Sequence, residues 1–184
     1  MRDISVPVLV DVPRRTNTTD LVIRQATKPS NPALFAVKGP SGAWEDIPAT
    51  EFRRQVEDVA KGLIASGVQP GDRVAIMART RYEWSLADFA IWFAGAVSVP
   101  VYETSSPAQV AWILSDSGAV GAFVESAHHE GVVREAVALE GIGSLQHVWQ
   151  FDGDGLDTLR TAGVGTDEQM LSDRRAHDCL LYTS

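Results

Sequence analysis

The chain has 184 residues, 45% of them apolar and 22% charged, which is enough to bury the core of one ordinary domain. Its 24 acidic and 16 basic side chains give a net charge of −8, which argues against nucleic-acid binding because that function needs a basic face. One cysteine cannot form an internal disulfide, no apolar run reaches the ~18 residues of a membrane span, and the N-terminus does not resemble a signal peptide. These features predict a soluble, cytoplasmic protein without a transmembrane segment.

The N-terminal region predicts one short strand and one short helix. Residues 6–12 form at best an edge strand, because prolines interrupt and close the apolar run. Either Thr19 or Asp20 is placed to cap a helix whose apolar residues include Leu21 and Ile23.

A β-hairpin and a long amphipathic helix are expected next. The hairpin has strands at 33–37 and 44–47, joined by a glycine- and proline-containing turn. The helix has Thr50 as its N-cap and ends at Gly67, which suits a left-handed backbone. One stripe of this helix is apolar and consists of Phe52, Val56, Val59, Ala60, Leu63 and Ile64.

Apolar strands then alternate with helices. Strands are predicted at 73–78, 97–101, 120–124 and 147–151. Helices are predicted at 82–94, at 107–117 behind a capping box formed by Ser106 and Gln109, and at 130–139. Beyond them, weak helical character appears at 157–160 and 168–175. This alternation predicts an α/β fold in which a parallel sheet with crossover helices follows the hairpin.

No strong catalytic motif is present, since the chain has neither a dinucleotide-binding glycine pattern nor a Walker loop nor a nucleophile elbow. His128, His129 and Glu130 are adjacent and cannot converge on one metal ion, so a solvated helix start is favoured. Residues 152–157 imitate a calcium loop but lack its terminal glutamate, which favours a surface turn.

The most informative polar stretch begins with Tyr102, Glu103 and Thr104. It lies between the end of a predicted buried strand and the start of a helix, where α/β folds bind ligands. These three residues are therefore candidates for a substrate or interdomain surface. No residue is assigned a catalytic, cofactor-binding or metal-binding role.

Two segments carry a resemblance to a known family. Residues 67–76 read GVQPGDRVAI, and residues 95–109 read GAVSVPVYETSSPAQ. Together they resemble the N-terminal part of AMP-forming acyl-CoA synthetases, in the adenylate-forming superfamily. The YETSSPAQ form is most similar to bacterial, particularly actinobacterial, long-chain fatty acid–CoA ligases.

The resemblance implies a two-step reaction for the parent enzyme. ATP and a fatty acid form an acyl adenylate and pyrophosphate, and CoA then displaces AMP to give acyl-CoA. The implied cofactors are ATP, CoA and Mg²⁺, but the family residues that bind them follow the part present here. The resemblance therefore implies an incomplete N-terminal part of the adenylate-forming fold, inactive on its own. It leaves association with a membrane surface open.

The resemblance also divides the chain. Residues 1–178 are expected to form a partial N-terminal AMP-binding domain, and residues 179–184 to be sequencing-adapter read-through. The last six residues, CLLYTS, fit the codons TGT CTC TTA TAC ACA TCT, which spell a transposase mosaic end. They also resemble the opening of the family's phosphate loop.

Two alternatives remain open. The first is another adenylate-forming enzyme, which would act on an aryl or medium-chain acid or would transfer the acyl group to a carrier protein. A non-enzymatic α/β module would instead have a self-sufficient core. Against it, Phe89, Ile91, Trp92 and Phe93 make their helix apolar all round, which predicts cover from a further part of the protein.

Overall fold

The computed structural model describes residues 16–176 and the backbone of a strand at residues 180–181. The helices are α1 (Thr19–Ala26), α2 (Ala49–Ala65), α3 (Tyr82–Phe93), α4 (Pro107–Ser117), α5 (Ala127–Glu140), α6 (Gly155–Ala162) and α7 (Glu168–Arg175). The strands are β1 (Ala33–Lys38), β2 (Trp44–Pro48), β3 (Arg73–Met77), β4 (Val97–Val101), β5 (Gly121–Val124), β6 (His147–Gln150) and β7 (Leu180–Leu181). The edge strand predicted at 6–12 lies outside the described residues.

A parallel sheet forms the centre of the molecule and confirms the predicted α/β fold. Its strand order is β6-β5-β3-β4-β7, and every neighbouring pair is parallel. The strand β3 begins the sheet in sequence and lies between β4 and β5. Because parallel neighbours need a crossover, each of β3, β4 and β5 is followed by a helix.

Helices cover the sheet on both faces. Side chains that alternate along β3 point to opposite sides: Val74 and Ile76 join a core with α2, α3 and α6, whereas Ala75 and Met77 join a core with α4 and α5. This double cover explains why the strands are almost wholly apolar in sequence.

The predicted hairpin forms as the antiparallel pair β1–β2, separate from the main sheet. Phe35 of β1 contacts Phe52 and Tyr82, with ring centroids 4.8 and 5.4 Å away. Aromatic packing of this kind fixes the hairpin on the first turns of α2 and α3.

Two predicted helix caps are wrong, because other residues accept hydrogen bonds from the first amides of each helix. Thr50 lies inside α2, because the amides of Ala49 and Thr50 donate to Pro32 O and Asn31 Oδ1 at 2.9 and 3.0 Å. At α1, Asn17 Oδ1 accepts from the Thr19 amide at 3.0 Å, so neither Thr19 nor Asp20 is the cap.

The buried residues of α1 are Thr19 and Val22 rather than Leu21. Leu21 is 49% exposed and Val22 is 3% exposed. The helix is turned so that Thr19 and Asp20 meet Arg175 of α7, at 3.1 and 2.5 Å. This pairing of α1 with α7 is a contact that local periodicity does not reveal.

The apolar helix α3 is covered more completely than predicted. Ile91 and Phe93 are fully buried by the chain itself, and Phe89 and Trp92 are half-buried. The expectation that Ile91 and Phe93 need cover from elsewhere is therefore wrong, because α2 packs along α3 and α7 contacts it as well.

No described helix is long and apolar enough to cross a membrane.

Candidate functional site

The carboxyl ends of β3, β4 and β5 meet at one edge of the sheet, as parallel strands require. The loop after β3 leads to α3 on one face, whereas the loops after β4 and β5 lead to α4 and α5 on the other. Chains that leave neighbouring strands towards opposite faces open a crevice between them, and α/β folds bind ligands in such crevices.

A cleft of about 430 Å³ occupies this position between the ends of β3 and β4. It is open to solvent, and the loop after β3 forms one wall while the end of β4 forms the other. Its lining consists of Ala78, Arg79, Thr80, Trp84, Pro100, Val101, Tyr102 and Glu103.

Two of the three predicted site residues line this cleft. Tyr102 is 83% exposed, although tyrosine is a large and partly apolar side chain. Glu103 lies beside it, whereas Thr104 is exposed in the next turn and is not part of the lining. The loop is held at its far end by the predicted capping box, in which the Gln109 amide donates to Ser106 Oγ and the Ser106 amide donates to Gln109 Oε1.

Sequence reasoning missed Arg79 and Glu125, which form a polar contact at this edge of the sheet. The Arg79 amide donates to Glu125 Oε2 at 2.9 Å, and the Arg79 guanidinium forms an ion pair with Glu125 in which Nε lies 2.8 Å from Oε1. Both residues come just after apolar strands, so the rule that pointed to Tyr102 could also have identified them.

A second ion-pair cluster lies next to the first. Arg81 Nε donates to Glu83 at 2.6 Å, and Arg81 Nη1 donates to Asp152, which follows β6, at 2.7 Å. These hydrogen bonds, that to Glu83 above all, raise the pKa of the Arg81 guanidinium further above its ordinary value. Arg81 therefore stays charged and links the loop after β3 to the loop after β6.

A buried carboxyl group lies on the seam between α3 and β4. Asp88 of α3 is 7% exposed, and Ser98 Oγ of β4 donates to its Oδ1 at 2.5 Å. Burial raises the pKa of Asp88 to about 6 even though the Ser98 hydrogen bond acts in the opposite direction. Asp88 follows Trp84 of the cleft lining by one helical turn, so the group lies on the helix that bounds the cleft.

The described residues do not fit a magnesium or zinc centre. Across residues 16–176, no three His, Cys, Asp or Glu side chains converge on one point. His128 and His129 lie in the first turn of α5, where His129 Nδ1 contacts Ser126 Oγ at 2.9 Å.

Comparison with known proteins identifies relatives of this chain. Residues 22–184 match the family described as AMP-binding enzyme. The protein named Long-chain-fatty-acid–CoA ligase FadD15 from Mycobacterium tuberculosis is 41% identical to this chain over an alignment of 194 positions. The alignment covers 100% of this chain and 32% of the relative. The chain thus spans about a third of the length of this relative.

Solved structures show the same fold. The N-terminal domain of FACL13 from Mycobacterium tuberculosis superposes with a TM-score of 0.67 at 26% identity, over 83% of this chain and 38% of that one. A long-chain-fatty-acid-CoA ligase (FadD1) from Archaeoglobus fulgidus gives a TM-score of 0.67 at 21% identity, over 88% of this chain and 32% of that one. With most of its length matched by the family, the chain belongs to the AMP-binding enzymes.

Proposed function

We propose that the chain is the N-terminal part of the AMP-binding domain of a cytoplasmic long-chain fatty acid–CoA ligase. The parent enzyme would convert ATP, a fatty acid and CoA into acyl-CoA, AMP and pyrophosphate through an acyl adenylate. The observation that carries the proposal is the 41% identity to FadD15, which extends over the whole of this chain.

The described residues would supply the frame of the enzyme rather than its reacting groups. They do not fit a Mg²⁺ site, and the chain has no Walker-type loop to hold phosphates. ATP, CoA and Mg²⁺ would therefore be held mainly by parts of the parent enzyme that this chain does not contain. The chain alone is expected to be inactive.

The cleft would contribute a surface to the assembled enzyme. Tyr102, Glu103 and Thr104 are proposed to border a bound substrate or a neighbouring domain. The exposure of Tyr102 supports this role, because a large aromatic side chain that is 83% exposed beside a cleft is typical of a contact surface.

The division of the chain is also a proposal: residues 1–178 would belong to the AMP-binding domain and residues 179–184 to adapter read-through. All six residues fit the mosaic-end codons, which supports this division. By contrast, the pairing of β7 with β4 and the family match through residue 184 are expected if these residues belong to the protein. Residues 179 and 182–184 lie outside the described residues. The nucleotide sequence beyond codon 178 distinguishes adapter read-through from genuine protein sequence, since the adapter proposal predicts that the genomic sequence departs from these codons.

An assay of the complete gene product with several acids tests the proposed substrate. Thioester formation should be at least tenfold faster with palmitate than with octanoate or ferulate, and it should require free CoA. A preference for octanoate or ferulate would show a medium-chain or aryl-acid ligase instead. Transfer to a carrier protein without CoA would show a carrier-protein ligase, and no adenylation of any acid would contradict the proposal.

A further inference from the structure

Glu125 is a buried acid at the end of β5 whose carboxylate is wholly engaged with one residue. Its side chain is 8% exposed. One carboxylate oxygen accepts from the Arg79 amide at 2.9 Å, and the other forms an ion pair with the Arg79 guanidinium, 2.8 Å from Nε. A buried carboxylate is costly unless it is paired and hydrogen-bonded, so this arrangement is specific to the position of Arg79.

Arg79 connects the buried Glu125 carboxylate to the cleft. It lines the cleft and its side chain is 69% exposed, whereas Glu125 is not among the lining residues. The ion pair keeps the guanidinium group beside Glu125, and the hydrogen bond from the Arg79 amide holds the backbone at this position. Glu125 thus acts on the cleft only through Arg79.

The surrounding backbone makes the support for this loop rigid. The Glu125 amide donates to Met77 O at 3.0 Å, and the Asp152 amide donates to Glu125 O at 2.9 Å. The ion pair of Arg81 with Asp152 holds the same loop at a second point. The ends of β3, β5 and β6 are therefore joined, and the exposed Thr80 lies between the two fixed arginines.

We propose that Glu125 is a positioning residue that holds Arg79, and with it residues 78–81, as a preformed wall of the cleft. The inference rests on the proposed function in one respect, namely that the cleft receives a substrate of the ligase. The fatty acid, ATP and CoA each carry an anionic group, which a guanidinium group recognises through paired hydrogen bonds. A preformed wall would improve binding because the loop need not be ordered when the substrate arrives.

Limited trypsin digestion of the 184-residue chain tests the positioning step without any activity. In Glu125→Gln one carboxylate oxygen becomes an NH₂ group and the negative charge is lost. The side chain can then no longer both accept from the Arg79 amide and pair with the Arg79 guanidinium, while its volume is kept. Cleavage after Arg79 should become at least fivefold faster, and cleavage after Arg134 in α5 should stay unchanged. The matched control is Glu57→Gln, which removes the same charge from a pair with Arg53 on α2.

Two outcomes of the digestion would overturn the proposal. Equal acceleration after Arg79 and Arg134 would mean that the substitution loosens the whole fold. No acceleration at either site would mean that Glu125 does not hold the loop.

A hybrid enzyme tests whether the positioned wall serves a substrate. In the hybrid, residues 22–176 replace the matching segment of Mycobacterium tuberculosis FadD15. Glu125→Gln should raise the KM of one of the three substrates at least fivefold and change kcat less than twofold. Unchanged KM values, or a fall of kcat alone, would contradict the proposal. If the hybrid without the substitution is inactive, that result would count against the proposed function. The trypsin digestion would then still show whether Glu125 holds the loop.

Discussion

At the scale of single residues, Asp88 is a carboxyl group buried within the chain. It lies between α3 and β4 and accepts a hydrogen bond from the Ser98 hydroxyl, and burial raises its pKa to about 6. Among the described residues, burial raises the pKa of Asp88 and the Ser98 hydrogen bond lowers it, so desolvation is what disfavours the ionised form. The carboxyl group is therefore best accommodated when it is protonated.

This raised pKa predicts a pH dependence of stability. An unfolded aspartate ionises near pH ~3.9, so the stability contributed by protonated Asp88 is complete below that pH. It is lost as the pH rises through about 6, the value in the folded chain. A shift of about two pKa units corresponds to about 2–3 kcal/mol.

Asp88→Asn should remove this pH dependence of stability, and its amide oxygen can still accept the hydrogen bond from the Ser98 hydroxyl. Urea unfolding should show that the stability of the variant relative to the unmodified chain rises by about 2–3 kcal/mol between pH ~4 and pH ~8. Asp58→Asn, in an exposed pair with Arg54 on α2, is the control and should show little pH dependence. A constant difference between Asp88→Asn and the unmodified chain at all pH values would show that Asp88 has an ordinary pKa.

The same scale shows why the sequence predicted only part of the site. Tyr102 and Glu103 were found because they directly follow a recognisable strand and precede a capping box. The pairing of Arg79 with Glu125 joins residues that are 46 positions apart, so it depends on the order of β3 and β5 in the sheet. Sequence periodicity predicts strands, but it does not predict which strands become neighbours.

At the scale of elements, the contact between α2 and α6 depends on two glycines. A Cβ atom on Gly62 would lie 2.2 Å from the carbonyl oxygen of Leu159, and one on Gly163 would lie 2.7 Å from the amide nitrogen of Gly62. Both obstacles are backbone atoms, which cannot rotate away as a side chain can. The two helices therefore approach each other backbone to backbone.

Gly62→Ala should destabilise the chain by about 2–3 kcal/mol, because the helices must separate to admit the methyl group. Gly131→Ala is the matched control, since that glycine is also helical and its Cβ would meet nothing within 4 Å. The control should be neutral or stabilising by about 0.5–1 kcal/mol, because alanine favours helix more than glycine does. Thermal unfolding of both variants measures the difference, and equal effects would show that α2 and α6 are not in close contact.

Elements with a clear apolar period were predicted well from the sequence. The helix α2, the strand β4 and the capping box of α4 lie where the pattern indicates. The errors are at the ends and orientation of helices, where Asn31 and Arg175 supply contacts from elsewhere in the chain. Such contacts satisfy helix ends in the same way as a local cap, but they leave no local pattern.

At the scale of the whole molecule, the sheet, its two helical layers and the cleft form a frame that matches about a third of FadD15. Most of the core is buried within the chain itself, including Ile91 and Phe93. Under the proposed function, the groups that act on ATP would belong to the part of the parent enzyme that this chain does not contain. The frame should therefore support adenylation only when that part is attached.

Palmitate-dependent exchange of pyrophosphate into ATP tests this claim most directly. The hybrid that carries residues 22–176 in FadD15 should catalyse exchange within about tenfold of unmodified FadD15, a difference of about 1.4 kcal/mol in activation free energy. The 184-residue chain alone should give none. Exchange by the chain alone, or a folded hybrid that binds palmitate but gives no exchange, would contradict the assignment of this chain as the N-terminal frame of a fatty acid–CoA ligase.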